Sequence, residues 1–268
     1  MRPNILSIAG SDPSGGAGIQ ADIKAISANG GYAMAVITGL TAQNTQGVRA
    51  VELVSPGLIT SQIAALRDDI RIDAIKIGML GDATVIDAVA TALEGCSAPI
   101  VLDPVMVAKG GDRLLAADAI AALRDRLLPR ASVITPNLPE AADLLGTPEA
   151  TDTDMMQHQA RALCRLGAQA VLIKGGHLNS DDAIDFLVTQ GDSTALPSPR
   201  TTTRNTHGTG CTLSSALATH LGAGRTLAQA AQCAKHYISG AIAAADTLSV
   251  GHGHGPVHHF YAHDGANT

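Results

Sequence analysis

The sequence predicts an α/β fold: a central, mainly parallel β-sheet covered by helices on both faces, in three α/β/α layers. Two patterns carry that expectation. Short continuous apolar runs recur over the first 175 of the 268 residues, and the stretches between them place apolar residues at helical spacing. Continuous runs suit strands buried on both faces. Their alternation with amphipathic segments suits right-handed βαβ crossovers. Composition agrees: 46% hydrophobic and 16% charged residues fit a packed α/β chain and exclude a disordered or coiled-coil one.

Taken in order, strands are expected at 5–9, 33–37, 74–77, 100–102, 133–134 and 170–173. Helix faces are expected where Ile59, Ile63, Leu66 and Ile70 share a stripe, and again at Val85, Ile86, Val89 and Leu93. Runs at 183–188 and around Ala195 read as an edge hairpin, because Gln190-Gly191-Asp192 supplies turn chemistry between them. Beyond it the chain turns helical. Leu213, Ala216, Leu217 and Leu221 make one apolar stripe, and a longer one runs from Leu227 through Ile238 to Ala245. No repeat or Pro/Ser linker divides the chain, so residues 1–268 are read as one domain, with the weakest boundary at 145–154.

The chain carries 18 Lys plus Arg against 24 Asp plus Glu, a net charge of -6, and no basic run, which argues against a nucleic-acid partner. Its apolar stretches fall short of the ~20 residues a membrane helix needs. Residues 1–4 lead straight into strand-like sequence rather than a signal peptide, so a soluble, cytoplasmic protein without a membrane partner is expected. The four cysteines, Cys96, Cys164, Cys211 and Cys233, show no zinc-site spacing and are expected as reduced thiols. With no Trp, two Phe and three Tyr, any ring-shaped ligand must lie largely against aliphatic side chains.

Two Gly-rich segments invite a ligand. Gly10-Ser11-Asp12-Pro13-Ser14-Gly15-Gly16-Ala17-Gly18 follows the first strand, where doubly wound sheets bind ligands, but it matches neither a P-loop nor a dinucleotide fingerprint. Thr206-His207-Gly208-Thr209-Gly210-Cys211-Thr212 leads into a helix. Its free N–H groups and the helix dipole suit a transferring phosphoryl group, and Cys211 in that first turn is expected to have a depressed pKa and to act as a base. Asp103, Asn137 and Glu140 at two strand ends offer oxygen ligands for magnesium, and Lys174 at a third offers a cation for nucleotide phosphates. Five of the ten histidines fall at 252–263 in a Gly-rich tail; without carboxylate or Cys partners this reads as a structured terminal loop rather than a metal site.

Ile8 to Asp22, Ala42-Gln43-Asn44-Thr45, Lys76-Ile77-Gly78-Met79-Leu80, Asp103-Pro104-Val105, Thr135-Pro136-Asn137-Leu138-Pro139-Glu140-Ala141, Lys174-Gly175-Gly176-His177 and His207 to Thr212 occur in one order along nearly the whole chain. Together they resemble the bacterial hydroxymethylpyrimidine/phosphomethylpyrimidine kinases of thiamine biosynthesis. The resemblance implies a ribokinase-like fold, ATP and Mg²⁺, a pyrimidine substrate phosphorylated twice in succession, and a homodimer. It implies Gln43, Asp22, Ala17, Gly18 and Met79 as substrate-binding residues, with Gln43 reading the pyrimidine edge. It also implies Lys174 at ATP, Asp103, Asn137 and Glu140 at the metal, Gly208, Thr209 and Gly210 as the anion hole, and Cys211 as the catalytic residue. Sugar kinases of the wider superfamily carry Asp where Cys211 stands. A pyridoxal kinase is the nearest competing reading, and a non-catalytic sensor of a vitamin precursor is another.

Overall fold

The computed structural model describes residues 1–107, 114–116, 119–176, 178 and 182–263. His177 of the Lys-Gly-Gly-His segment lies outside them. The chain opens β1(Asn4–Ser11), α1(Gly18–Ala28), β2(Tyr32–Asn44), β3(Gly47–Leu53), α2(Pro56–Asp69), β4(Ala74–Ile77), α3(Ala83–Ala92) and β5(Ile100–Leu102). A short α4(Ala119–Ala122) then tightens through irregular turns into β6(Val133–Ile134), α5(Leu138–Leu145), α6(Thr153–Arg165), β7(Ala170–Ile173), β8(Asp185–Thr189) and β9(Ser193–Leu196). The helices α7(Thr209–Gly222) and α8(Leu227–Ala243) follow.

Nine strands among the described residues form one sheet in the order β3-β2-β1-β4-β5-β6-β7-β8-β9. The six from β2 to β7 are parallel; β3 at one edge and β8 at the other run against them, and β9 pairs antiparallel with β8. Strand residues alternate between two cores, as the period of two requires. Leu6, Ile8, Ile75, Ile77, Ile134, Val171 and Ile173 face the side covered by α2, α3, α5 and α6. Ile5, Ala74, Val101, Val133, Ala170 and Leu172 face α1, α7 and α8. Alanine is what lets α8 lie close, since Ala230, Ala231, Ala234 and Ala241 are fully buried.

The six expected central strands are present, and the 183–188 run forms β8 a residue or two late. Strand β2 runs on past the expected 33–37 to Asn44, and β3 was not expected. The physical reason is exposure: β3 is exposed or half-buried along its whole length, so it carries no apolar run. The tail is an ordered loop as read, with His258 and His259 buried and the Thr212 hydroxyl 3.0 Å from His259 Nε2.

The chain leaves β1 toward β2 on one side, whereas β4 lies on the other. The carboxyl ends of β1 and β4 therefore diverge at a switch point, where such sheets leave a crevice.

Candidate active site

The carboxyl ends of five strands deliver side chains to that crevice: Asp12 after β1, Met79 after β4, Asp103 after β5, Asn137 after β6 and Lys174 after β7. They line a cavity of about 600 Å³ together with Gln43, Ala17, Gly18, Glu140 and the Gly208 to Cys211 segment. Every expected site residue is in its wall except Asp22.

Asp22 is a correction. It is fully buried, and its carboxylate takes hydrogen bonds from Lys76 Nζ at 2.8 and 2.9 Å, from the Ser7 hydroxyl at 2.6 Å and from the Ser215 hydroxyl at 2.8 Å. No acceptor site is left facing a substrate. The Asp22–Lys76 pair instead ties α1, β1, β4 and α7 together beneath the cavity floor. Burial works against the Lys76 charge, but Asp22 more than offsets it, and the ammonium is held above its ordinary range.

At one corner Lys174 Nζ lies 3.0 Å from Asp103 Oδ1 and 3.7 Å from Glu140 Oε2, and the Thr135 hydroxyl donates to Asp103 Oδ1 at 2.9 Å. Asn137 caps α5. Its side-chain oxygen accepts from the Glu140 N–H, while Glu140 Oε2 accepts from the Asn137 N–H, each at 2.8 Å. Asn137 thus holds Glu140 in place while lining the same cavity as Asp103 and Glu140. Burial and the neighbouring Asp103 charge push the Glu140 carboxyl up to about 7, although Lys174 opposes them.

That shift has a measurable sign. Because the folded state holds the Glu140 proton more tightly than the unfolded chain, this contribution to stability is complete below about pH 4.5 and is lost as pH rises through about 7. Thermal unfolding of the unliganded protein should fall behind that of Glu140→Gln, which keeps the cap, by about 3 kcal/mol over that interval. Parallel curves for the two proteins would show that Glu140 ionises at an ordinary pH.

The opposite wall is the start of α7. Gly208 adopts φ +76, a left-handed conformation, and a Cβ there would stand 1.8 Å from the Gly16 carbonyl oxygen, so the two Gly-rich loops meet backbone to backbone. No side chain caps α7. Of its first-turn N–H groups, that of Thr209 donates to the Thr206 carbonyl at 3.4 Å, while those of Gly210 and Cys211 have no intrahelical acceptor. A Cβ on Gly210 would lie 3.2 Å from Lys174 Nζ, which puts the open helix end beside the Lys174 and Asp103 charges.

Cys211 corrects the expected depressed thiol. Burial dominates and pushes it up to about 11; Lys76 and the Gly18 N–H draw it down, and Asp22 and Asp103 push it further up. The helix-end field is real, but a low-dielectric wall disfavours any thiolate more strongly.

Two groups in the wall had no expected role. Asp12 accepts from the Ser14, Gly16 and Ala17 N–H groups and the Ser14 hydroxyl, and lies 2.8 Å from His207 Nε2. Burial would raise its pKa, but the hydrogen bonds from His207 and Ser14 outweigh it and hold it at about 2. Lys235, also in the cavity wall, bonds Asp185 at 2.8 Å and the Ala183 carbonyl at 2.9 Å. A charged residue inside the alanine stripe of α8 was the available signal for Lys235.

Among the described residues no cluster of three or more His, Cys, Asp or Glu is arranged to hold a metal ion. Magnesium seldom needs one, since it takes one or two carboxylates along with phosphate oxygens and water. Asp103 and Glu140, two buried carboxyl groups sharing one ammonium, fit that donor set.

A doubly wound sheet whose crevice joins an ammonium, two carboxyl groups and an uncapped helix N-terminus is the framework of a small-molecule kinase of ribokinase-like fold. Residues 12–258 match the phosphomethylpyrimidine kinase model, and the chain belongs to that family. It is 52% identical over 262 residues to a hydroxymethylpyrimidine/phosphomethylpyrimidine kinase of Escherichia coli, covering 97% of this chain and 98% of the relative. Among solved structures, the ADP complex of Bacillus subtilis pyridoxal kinase superposes with a TM-score of 0.90 at 36% identity, covering 98% and 99% of the two chains. A phosphomethylpyrimidine kinase of Clostridium difficile gives 0.78 at 40% identity, covering 89% of this chain and 98% of its own. Among the described residues no helix is long and apolar enough to cross a membrane.

Proposed function

We propose that this chain, as one catalytic domain spanning residues 1–268, transfers the γ-phosphoryl group of ATP to 4-amino-5-hydroxymethyl-2-methylpyrimidine, and then phosphorylates the monophosphate to the diphosphate for thiamine biosynthesis. The observation that carries the reading is the Gln43 carboxamide in the wall of the same cavity as the open N-terminus of α7. A carboxamide offers a donor and an acceptor side by side, matching a ring nitrogen beside an amino group. Met79, Ala17 and Gly18 give the ring its apolar faces, in keeping with a chain poor in aromatics.

Lys174 neutralises the transferring phosphate, and the N–H groups of Gly208 to Cys211 stabilise the charge that develops on it. Asp103 and Glu140 would hold Mg²⁺, which when bound supplies charge neutralisation between the nucleotide phosphates. The wall around Arg200, Lys235 and Ile238 receives the nucleoside end. The enzyme works in the cytoplasm as a homodimer, with no nucleic-acid or membrane partner.

The test is ADP release from Mg-ATP with hydroxymethylpyrimidine, its monophosphate and pyridoxal compared side by side. Turnover of the two pyrimidines well above that of pyridoxal is expected, and pyridoxal as the preferred substrate would favour the activity named for the Bacillus neighbour. Saturable binding without ADP release would mark a sensor. Gln43→Ala should raise KM for the pyrimidine up to roughly a hundredfold and leave KM for ATP nearly unchanged, since one hydrogen-bonded edge contributes about 1 to 3 kcal/mol. Equal changes in both constants would make Gln43 a structural residue.

A further inference from the structure

Asp12 and His207, two buried side chains that the proposed reaction leaves without a task, form a chain with Gln43. One nitrogen, His207 Nε2, has two neighbours: Asp12 Oδ2 at 2.8 Å and the Gln43 carboxamide at 3.4 Å. Asp12 is buried, ionised and able only to accept, so the imidazole nitrogen against it carries a hydrogen. On its other flank the Gln43 amide lies 3.3 Å from Thr41 Oγ1, whose single hydrogen goes to the nearer Ser11 carbonyl at 2.9 Å. Thr41 therefore turns lone pairs toward Gln43.

With Gln43 Nε2 beside His207 and Oε1 beside Thr41, donor meets donor on one side and acceptor meets acceptor on the other. A half-turn of the amide end relieves both, leaving the oxygen toward His207 and the nitrogen toward Thr41. His207 is itself held in place. Its backbone N–H donates to the Gly255 carbonyl at 3.0 Å, and its ring packs where a Cβ on Gly16 would stand 2.4 Å away. The Gly-His-Gly-His-Gly tail also grips the turn after β2, with the His254 N–H donating to the Thr45 carbonyl at 2.8 Å and the Gly253 N–H to the Thr45 hydroxyl at 3.1 Å. The tail thus joins the strand that carries Gln43 to the loop that carries His207.

We propose that His207, anchored by Asp12, is a positioning residue that fixes which end of the Gln43 carboxamide faces which part of the ring, and so sets the preference for an amino over an oxo substituent. The inference rests on the reading of Gln43 as the group that recognises the pyrimidine edge. An aminopyrimidine edge presents an N–H donor beside an acceptor nitrogen. The 4-oxo analogue presents the reverse, an acceptor oxygen beside an N–H. Because the hydroxymethyl group must point to the phosphoryl corner, the ring cannot turn over to compensate, and an amide locked one way accepts one pattern only. An amide free to turn accepts both.

The experiment compares kcat/KM for hydroxymethylpyrimidine with that for its 4-oxo analogue, in the wild type and in His207→Ala, His207→Gln, Asp12→Asn and Gln43→Ala, with KM for ATP as a control. The expected result is a wild-type preference for the amino compound that shrinks by about tenfold or more in His207→Ala and Asp12→Asn. KM for ATP should stay unchanged, and His207→Gln, whose amide nitrogen carries two hydrogens for the positions of Asp12 and Gln43, should recover most of the preference. A folded His207→Ala that keeps the wild-type ratio while Gln43→Ala loses it overturns the role of His207 alone. A ratio that survives Gln43→Ala, or is absent from the wild type, overturns the Gln43 reading and this inference with it. Should His207→Ala fail to fold, Asp12→Asn decides by the same ratios.

Discussion

Cys211→Ala is expected to lower kcat/KM for hydroxymethylpyrimidine by a factor that grows with pH, toward the about 10² to 10⁴ usual for a general base as the thiolate becomes populated, and to affect the monophosphate far less. The first nucleophile is an alcohol that must give up a proton. The second is a phosphate oxygen whose own second ionisation falls near pH 6, so it arrives already anionic. The structure adds a pH signature. With the thiol pushed up to about 11, the thiolate fraction grows tenfold for each pH unit, so the first step should climb with unit slope between about pH 7 and 9 without levelling off. The second step should be flat there, and Cys211→Ala should abolish the slope of the first. A plateau near pH 7 would mean that the helix end, not burial, controls the thiol. Equal losses on both substrates would remove the base role and leave Cys211 as part of the anion hole.

Lys76→Met should cost about 3 to 5 kcal/mol of stability, because it leaves Asp22 as a buried carboxylate stripped of its counter-charge. Neither side chain of the pair is exposed to solvent. For a chain of this size that is a fall in Tm of roughly 10 °C. The companion variant Lys76→Met with Asp22→Asn should recover most of the loss, since removing both charges also removes the cost of burying them. Strictly additive losses in thermal unfolding would show that the two residues stabilise the fold through separate contacts. Since Lys76 also draws the Cys211 thiol down, the single variant should move the first-step pH profile to higher pH as well.

Strand β7 was legible because all four of its residues are buried and apolar, and β4 because three of its four are, Lys76 being the buried exception, so the pattern needed no tertiary knowledge. Strand β3 was illegible for the opposite reason, since an edge strand in solvent has nothing to select an apolar run. The site divides in the same way. Lys174, Asp103 and the α7 start were visible because each follows a strand or opens a helix, where position along the chain already implies position in the crevice. The Asp12–His207 and Asp22–Ser215 contacts span 195 and 193 residues, and no local period encodes which distant residue a carboxylate will meet. Asp22 was misplaced because it sits in a ligand-like segment; only packing shows that it points into the core. For Cys211 the helix end could be read from sequence, but the burial that outweighs it could not.

The meeting of the first Gly-rich loop with the start of α7 has a temporal side. The cavity wall at Gly16 and Gly208, the ring of His207 against Asp12, and the tail on Thr45 all join the first 50 residues to the last 65. During synthesis the N-terminal strands can pair with one another long before α7 leaves the ribosome, yet none of these contacts can close until residues 207–254 have emerged. Contacts of such high sequence separation form late and slowly. A nascent chain that stops short of α7 is consequently sheet-rich but unable to hold a phosphoryl group, and ligand affinity appears only once α7 and the His-rich loop have joined the first strands.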